Sequence, residues 1–348
     1  MSFYSRFYEK NYKLYLIVPA IILLLSLIFI FGFGVKKGID LKGGTLISIY
    51  DVGSVNTDDI KLDLENNFGL EDVSVIYNSG ITKRLDIQYL EQKSLIDLKT
   101  KINNIKQISN KDSAIEEIKK LFEENSYNYD LSVLKNYNNW VQELDSFYTF
   151  TKNNNTTEIL TFLNSEYGID SENVNIKEIS ATLGASFYSK AILIGIIAIV
   201  GIIILILIAF GEFIPALTII VCAILDVLGG LAGLAIVGIP LSLTTIPALL
   251  MLLGYSIDTD IMLTTTLLKR KEGHAKERAG DALRTGSIMT TTTLGALFVM
   301  LIFSYLYNIN VLFDISIVLV FGLVVDLLAT WFMNGPILLW YLENKKVK

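Results

Sequence analysis

Residues that commonly carry metal or redox chemistry are nearly absent from this chain. Its 348 residues include one cysteine, Cys222, and one histidine, His274. A single cysteine excludes an intramolecular disulfide, and a single histidine cannot build a histidine metal site. No Gly-x-x-x-x-Gly-Lys-Ser/Thr segment occurs, so the sequence offers no phosphate-binding loop of that kind for a nucleotide. We therefore predict a protein that is not an enzyme and that needs neither a metal nor a cofactor.

Charged residues are also scarce, at 18%, while 52% of the residues are hydrophobic. One apolar run covers residues 14–33, and we expect it to be retained, because no small-residue cleavage pattern of a signal peptide follows it. This run and five later ones are each long enough to cross a hydrocarbon core of roughly 30 Å as a helix. We predict an α-helical integral membrane protein with six transmembrane helices in a 1+5 arrangement. The later five form a block over residues 190–342, near 190–210, 213–237, 241–268, 287–307 and 311–341.

The polar segments next to the spans are basic, and this predicts the orientation in the membrane. Lysine and arginine cluster in residues 1–13, in the loop 269–286 and in the tail 343–348. With six spans these segments share one side, which the positive-inside rule assigns to the cytoplasm. A short amphipathic helix within 269–286 is expected to lie on that membrane surface, against lipid headgroups. Residues 34–189 then form one large extracytoplasmic domain. The net charge of −6 gives no indication of nucleic-acid binding.

The extracytoplasmic domain has the pattern of an α+β ferredoxin-like sandwich. Strands are predicted at 45–50, 72–77, 83–89 and 174–180, with helices at 57–67 and 156–167. Asn56 or Thr57 is the expected start of the first helix and Gly69 its end, and Asn78-Ser79-Gly80 is a turn signal. The order β-α-β-β-α-β is that of a ferredoxin-like fold. Residues of about 91–155 are predicted to form a helical insertion, most simply a solvated appendage packed on the sandwich.

Acidic residues stand inside three of the apolar spans. Helix geometry puts Asp226, Asp258 and Asp326 at similar depths, roughly 17–25 Å from the outer ends of their helices, so they could face one shared interior. Asp260 is expected nearer the cytoplasmic interface. A carboxyl group at this depth is costly and needs a reason. For Asp226, a proton or ion pathway and a neutral hydrogen-bonded group that joins helices both remain open, whereas for Asp326 the second interpretation is favoured.

The spans also hold polar hydroxyls and small residues. Thr266 and Thr291 belong to threonine runs that could hydrogen-bond the carboxyl groups. No arginine, lysine or histidine stands in the core of the last five spans, so the sequence offers no internal countercharge. The third span contains Gly229, Gly230 and Gly233, which predict close packing of another helix.

Four motifs carry a resemblance to a known family. The residues after the first span, Gly38-Ile39-Asp40-Leu41-Lys42-Gly43-Gly44-Thr45, resemble the Gly-Ile-Asp-x-x-Gly-Gly-Thr signature of the SecD/SecF protein-export family. The other three follow in order along the chain: Ala181-Thr182-Leu183-Gly184, Leu225-Asp226-Val227 and Gly254-Tyr255-Ser256-Ile257-Asp258. They are similar to the family's Gly-Pro-x-Gly, His-Asp-Val and Gly-Tyr-Ser-Ile-Asn segments. The form of the last one, and the single six-span unit, resemble the SecF branch, of archaeal type.

The resemblance implies a function and a set of partners. Members form half of a resistance-nodulation-division type bundle, with a SecD-like subunit as the other half, and assist the Sec translocon in moving exported polypeptides, using the proton-motive force. It implies that Asp226 is proton-linked, that Gly38, Asp40, Gly43, Gly44 and Thr45 form the joint of the membrane and outer domains, and that the outer domain engages exported chains. This chain departs from bacterial members in having Leu225 for the histidine and Thr266 near the place of a buried arginine. The alternative is a small-molecule or lipid transporter subunit of the same superfamily.

Overall fold

The computed structural model describes residues 7–8, 12–78, 83–108, 111–125, 127–129, 137–170, 173–270 and 272–345. The chain divides into two compact units, Met1–Lys42 with Thr182–Lys348, and Gly43–Ala181. The first contains the apolar helices and the second contains the sheet.

The sheet unit begins with β1 (Gly44–Tyr50), α3 (Thr57–Phe68), β2 (Ser74–Asn78) and β3 (Arg84–Tyr89), and it ends with β4 (Val174–Ile179). A short helix α2 (Ile39–Lys42) precedes it, and α1 (Ile17–Phe33) precedes that. The strands form one antiparallel sheet in the order β2-β3-β1-β4. Together with α3 and a second helix that precedes β4, this is the ferredoxin-like arrangement, and the predicted fold class is confirmed.

Alternating side chains of the central strands form the core of the sandwich. Ile47 and Ile49 of β1 and Ile87 of β3 are fully buried against the helices, together with Ile60 and Leu64 of α3. Apolar residues spaced by two along strands and by four along a helix produce this single buried layer. The local signals that bound α3 are also confirmed. At its start the Asn56 side chain accepts the Asp58 N–H at 3.1 Å, and at its end Gly69 is left-handed, with φ 60°. The predicted turn at Ser79-Gly80 lies outside the described residues.

Between β3 and β4 the described residues form three helices: α4 (Lys93–Lys106), α5 (Lys111–Glu124) and α6 (Tyr137–Tyr167). They contain a second core, in which Trp140, Phe122 and Phe147 are almost completely buried. The predicted helix at 156–167 is therefore only the end of a 31-residue helix. No glycine or proline stands between Tyr137 and Tyr167 to end it. As a result one helix belongs both to the insertion and to the sandwich.

Six helices of the other unit are long and apolar enough to span a membrane, as predicted. Those after the sheet are α7 (Ala181–Phe210), α8 (Phe213–Val237), α9 (Thr245–Leu268), α10 (Ala275–Leu306), α11 (Asn310–Ala329), a π-helical segment (Thr330–Asn334) and α12 (Gly335–Lys345). The last three are consecutive and form one candidate span. Helix α7 begins nine residues before the predicted start at 190, because a helix can extend past the hydrocarbon core into its polar border.

The predicted surface helix within residues 269–286 is wrong as a separate element. Helix α10 begins at Ala275, where the side chain of Glu277 accepts the N–H of His274, and it runs without a break to Leu306. Its alanine and leucine positions, among them Ala279 and Leu283, are buried in the bundle. The same spacing that suits a membrane surface also suits packing against other helices, and here packing prevails.

Candidate functional site

Three carboxyl groups from three helices gather inside the bundle. Asp226 of α8, Asp260 of α9 and Asp326 of α11 all have no exposed surface. Electrostatic interactions link Asp226 to both of the others. The Ser256 hydroxyl donates a hydrogen bond to Asp226 Oδ2. We call Asp226, Asp260 and Asp326 the carboxylate cluster.

A single hydroxyl joins two members of the cluster. Thr330 Oγ1 lies 3.0 Å from Asp260 Oδ1 and 3.3 Å from Asp326 Oδ1, so its one proton serves two acceptors. Asn334 Nδ2 also donates to Asp260 Oδ1, at 2.8 Å. Thr330 and Asn334 are thus the main polar neighbours of Asp260.

Each carboxyl group keeps one buried oxygen for which no hydrogen-bond partner is found among the described residues: Asp226 Oδ1, Asp260 Oδ2 and Asp326 Oδ2. Buried ionised groups that lack partners are costly, and like charges in one cluster add repulsion. Within the described part of the chain, no group of acidic, histidine or cysteine side chains has the arrangement to hold a metal ion. The cluster is chemically suited to hold and release protons.

Asp258 and Asp260 stand two positions apart on α9 and differ in burial. Asp258 is exposed, whereas Asp260 is fully buried, because two steps along a helix rotate a side chain by roughly 200°. The prediction that Asp258 shares the interior is therefore wrong, and Asp260, expected nearer the cytoplasmic interface, is the residue that lies beside Asp326. Thr266 is half-buried and Thr291 is exposed, and neither is among the hydrogen-bond partners of the cluster.

Sequence reasoning missed Ser256, Thr330 and Asn334. A signal for the last two exists, since Asp326, Thr330 and Asn334 recur at intervals of four in an otherwise apolar span. This spacing places polar side chains on one face of a helix.

The segment that carries Thr330 and Asn334 is a π-helix. The N–H of Gly335 bonds the carbonyl oxygen of Thr330, which is the i→i+5 pattern. Pro336 follows directly and has no N–H to give. The wider turn therefore occurs just before a proline, where the regular helical hydrogen bonds are interrupted.

Glycines bring α8 and α11 together, as the sequence predicts. A Cβ atom at Gly229 would lie 2.8 Å from Val325 Cβ, and one at Gly233 would lie 2.6 Å from Phe321 Cβ. At Gly230 the nearest atom, from Leu249, would be 3.1 Å away. The absence of side chains here permits the helix contact that places Asp226 beside Asp326.

The signature motif begins in the same unit as the cluster. The N–H of Gly38 donates to the Leu241 carbonyl at 2.8 Å, and the Leu241 N–H donates to the Lys36 carbonyl at 2.7 Å. Asp40 is buried, and its Oδ2 accepts the N–H of Leu243 at 3.4 Å. Residues 36–40 are thus attached to the connection between α8 and α9.

The end of the motif belongs to the sheet unit. Gly43 has φ 84° and Gly44 has φ 139°, backbone angles that residues other than glycine rarely adopt. Thr45 is buried and pairs with Tyr89 in the sheet. The two glycines therefore permit the turn into β1.

Comparisons with known proteins agree with this architecture. Residues 159–344 match the family described as protein export membrane protein SecD/SecF, C-terminal. The protein-export membrane protein SecF of Methanothermobacter thermautotrophicus is 28% identical over 96% of this chain and 94% of its own length. That of Methanocaldococcus jannaschii is 28% identical over 97% and 99%, respectively.

Two further matches, one in sequence and one in structure, cover a smaller part of the matched protein. SecF of Methanolacinia petrolearia is 42% identical over 49% of this chain, and the match spans 60% of that protein. The crystal structure of SecDF, a translocon-associated membrane protein from Thermus, superposes with a TM-score of 0.64 at 13% identity, covering 95% of this chain and 38% of that one. The chain thus has the fold of part of SecDF. With the match to the family over more than half of its residues, it belongs to the protein-export membrane protein family SecD/SecF.

Proposed function

We propose that this chain is an accessory subunit of the protein-export machinery and that it acts with a SecD-like partner subunit. Relatives named protein-export membrane protein SecF align with it over nearly their whole length. The chain corresponds to 38% of the SecDF structure, which leaves room for a second six-helix half. The Sec translocon and exported polypeptides are the further partners in this proposal.

The carboxylate cluster is the proposed site of energy coupling. The observation that carries this proposal is that α8, α9 and α11 each contribute a fully buried carboxyl group, two of which share the Thr330 hydroxyl. Gain or loss of a proton there changes the repulsion between three helices at once. The hydrogen bonds of Thr330 and Ser256 can follow such a change, because a hydroxyl can turn between acceptors.

Helix α9 offers a route from the cluster to the signature motif. It carries Asp260 and Ser256, and its first turn follows the segment 241–243, which holds Gly38 and Asp40 by hydrogen bonds. In the sequence, Asp40 stands four residues before β1. We propose that movement of α9 is passed through residues 36–40 to the outer domain. In the proposed orientation, the termini are cytoplasmic and the sheet unit is extracytoplasmic, where it engages exported chains.

The test is export into vesicles that contain this chain, its SecD-like partner and the translocon. Asp226→Asn and Asp260→Asn should each remove most of the stimulation by an imposed proton gradient, since an amide neither binds nor releases a proton. Asp258→Asn is the matched control. It is the same change on the helix of Asp260, at an exposed position, and it introduces the residue of the family motif.

Ionophores then identify the ion. A protonophore should remove the stimulation, and a sodium ionophore should leave it. If the Asp260→Asn variant retains the full gradient dependence while folded and bound to its partner, the coupling role of the cluster is wrong. Loss of stimulation in Asp258→Asn to the same degree would also contradict it.

A further inference from the structure

The N-terminal segment places one tyrosine against the π-helical segment. Tyr8 has no exposed surface, and its hydroxyl donates to the carbonyl oxygen of Trp331 at 2.9 Å. The two residues are 323 positions apart in the chain. Trp331 stands directly after Thr330, the residue that joins Asp260 and Asp326.

The carbonyl group that Tyr8 contacts has no i→i+5 donor within the helix. In the i→i+5 pattern seen from Thr330 to Gly335, the next donor in register for the Trp331 carbonyl would be residue 336. This residue is Pro336, which has no N–H. A buried carbonyl without a donor is costly. The Tyr8 hydroxyl takes the place of that donor, and it thereby favours the π-helical form of this segment.

The surroundings are shaped to admit this hydroxyl. A Cβ atom at Gly335 would lie 2.4 Å from the Tyr8 hydroxyl oxygen, so only glycine leaves it room. The Phe7 ring packs edge-on against Phe332 of the π-helical segment, with centroids 5.5 Å apart. Burial raises the pKa of Tyr8 above the usual range of tyrosine, so the hydroxyl keeps its proton and remains a donor.

We infer that Tyr8 is a positioning residue for the carboxylate cluster: by bonding the Trp331 carbonyl it holds the π-helical turn that directs Thr330 and Asn334 at Asp260. If the segment returned to an α-helical register, residues 330 and 334 would rotate relative to α9. The donors to Asp260 Oδ1 would then move. The inference builds on the proposed function of the cluster, but its test does not require export.

The test uses the full chain in lipid nanodiscs and the substitution Tyr8→Phe, which removes only the hydroxyl. Tyr12→Phe is the matched control, because the Tyr12 hydroxyl belongs to the same N-terminal segment but donates to the Glu343 side chain in α12. Two measurements are made. Hydrogen exchange measures the protection of backbone N–H groups in the π-helical segment. Labelling by a hydrophobic carbodiimide at a series of pH values measures the protonation of Asp260.

Tyr8→Phe should raise hydrogen exchange in the peptide around Trp331. It should also move the labelling midpoint of Asp260 by about half a pH unit or more, which is roughly threefold in the protonation equilibrium. Tyr12→Phe should do neither. A second variant, Gly335→Ala, should reproduce the shift, since the added methyl group displaces the Tyr8 hydroxyl.

A Tyr8→Phe protein with unchanged exchange and an unchanged labelling midpoint would overturn the inference, and so would equal shifts in Tyr12→Phe. A loss of thermal stability without a shift in the midpoint would assign Tyr8 a structural role only and would overturn it too. The export assay with Asp260→Asn separately decides the proposed function, so either can fail alone.

Discussion

Thr330 donates from its hydroxyl to Oδ1 of Asp260, which stands 70 positions earlier in the chain, across a distance of 3.0 Å. The same hydroxyl lies 3.3 Å from Oδ1 of Asp326, one helical turn before it. One side chain therefore ties α9 to α11 at the depth of the carboxylate cluster. Substitution of Thr330 therefore measures how much this hydrogen bond contributes to the stability of the helix bundle.

Replacing Thr330 with valine should destabilise the protein by roughly 1–2 kcal/mol, because two buried carboxyl groups lose a donor while the volume is kept. The matched control is Thr264→Val on α9. Thr264 is equally buried, and no partner for its hydroxyl is found within the described residues. Its removal should be neutral or slightly stabilising. Unfolding in mixed micelles measures both, and equal losses would contradict the importance of the Thr330 contact.

Substituting Gly233 with alanine should separate α8 from α11. The new methyl group would lie 2.6 Å from Phe321 Cβ, an atom fixed to the backbone, so the helix itself must move. Such overpacking costs roughly 1–3 kcal/mol. At Gly201 of α7 no atom lies within 4 Å of an added Cβ, so Gly201→Ala should leave stability unchanged or raise it slightly. Thermal unfolding in detergent tests the pair. A larger loss at Gly201 would show that the glycine contact does not govern packing.

A proline at Asn154 should disturb both cores of the sheet unit. Asn154 is exposed in α6, between the insertion core around Phe147 and the sandwich core around Ile159. Proline inside a helix costs roughly 3 kcal/mol or more, whereas Asn154→Ala keeps the helix and is the control. Hydrogen exchange of the full chain should show loss of protection on both sides of the substitution. Protection lost only in the insertion would mean that the two cores fold independently.

The ion pair of Glu212 should make stability depend on pH. Lys345 lies 2.5 Å from Glu212 Oε1, and Tyr341 donates to Oε2 at 2.7 Å. These hydrogen bonds, the one from Lys345 first, hold the pKa of Glu212 below its usual 4.5. A lowered folded-state pKa contributes stability that is present above 4.5 and is lost as the pH falls through the lower folded value.

At pH 7 Glu212→Gln should therefore be less stable than the unmodified chain, by at most about 1 kcal/mol because the pair is partly exposed. The difference should shrink as the pH drops below 4.5. Glu272→Gln changes another exposed glutamate and is the control. Thermal unfolding across this pH range measures the effect. A difference between Glu212→Gln and the unmodified chain that does not vary with pH would contradict the ion pair.

Much of the architecture follows from local patterns. Six apolar runs predict six spans because the length of a helix needed to cross a bilayer is a property of each run alone. The order of strands and helices follows in the same way from periodicity, and the capping of α3 by Asn56 and its end at Gly69 depend on residues a few positions apart. The close contact at Gly229 and Gly233 is likewise visible as a small-residue pattern.

What the sequence by itself determined, then, is which segments enter the membrane, which form the sandwich, and which family signature joins them. Only the tertiary structure decided that Asp260 rather than Asp258 meets Asp226 and Asp326, because the rotation of α9 depends on packing against two other helices. It also decided the role of the π-helical segment, whose carbonyl at Trp331 is satisfied by Tyr8 from the other end of the chain. Contacts between residues so far apart have no local signal, since they arise only when separate helices compete for the same buried space.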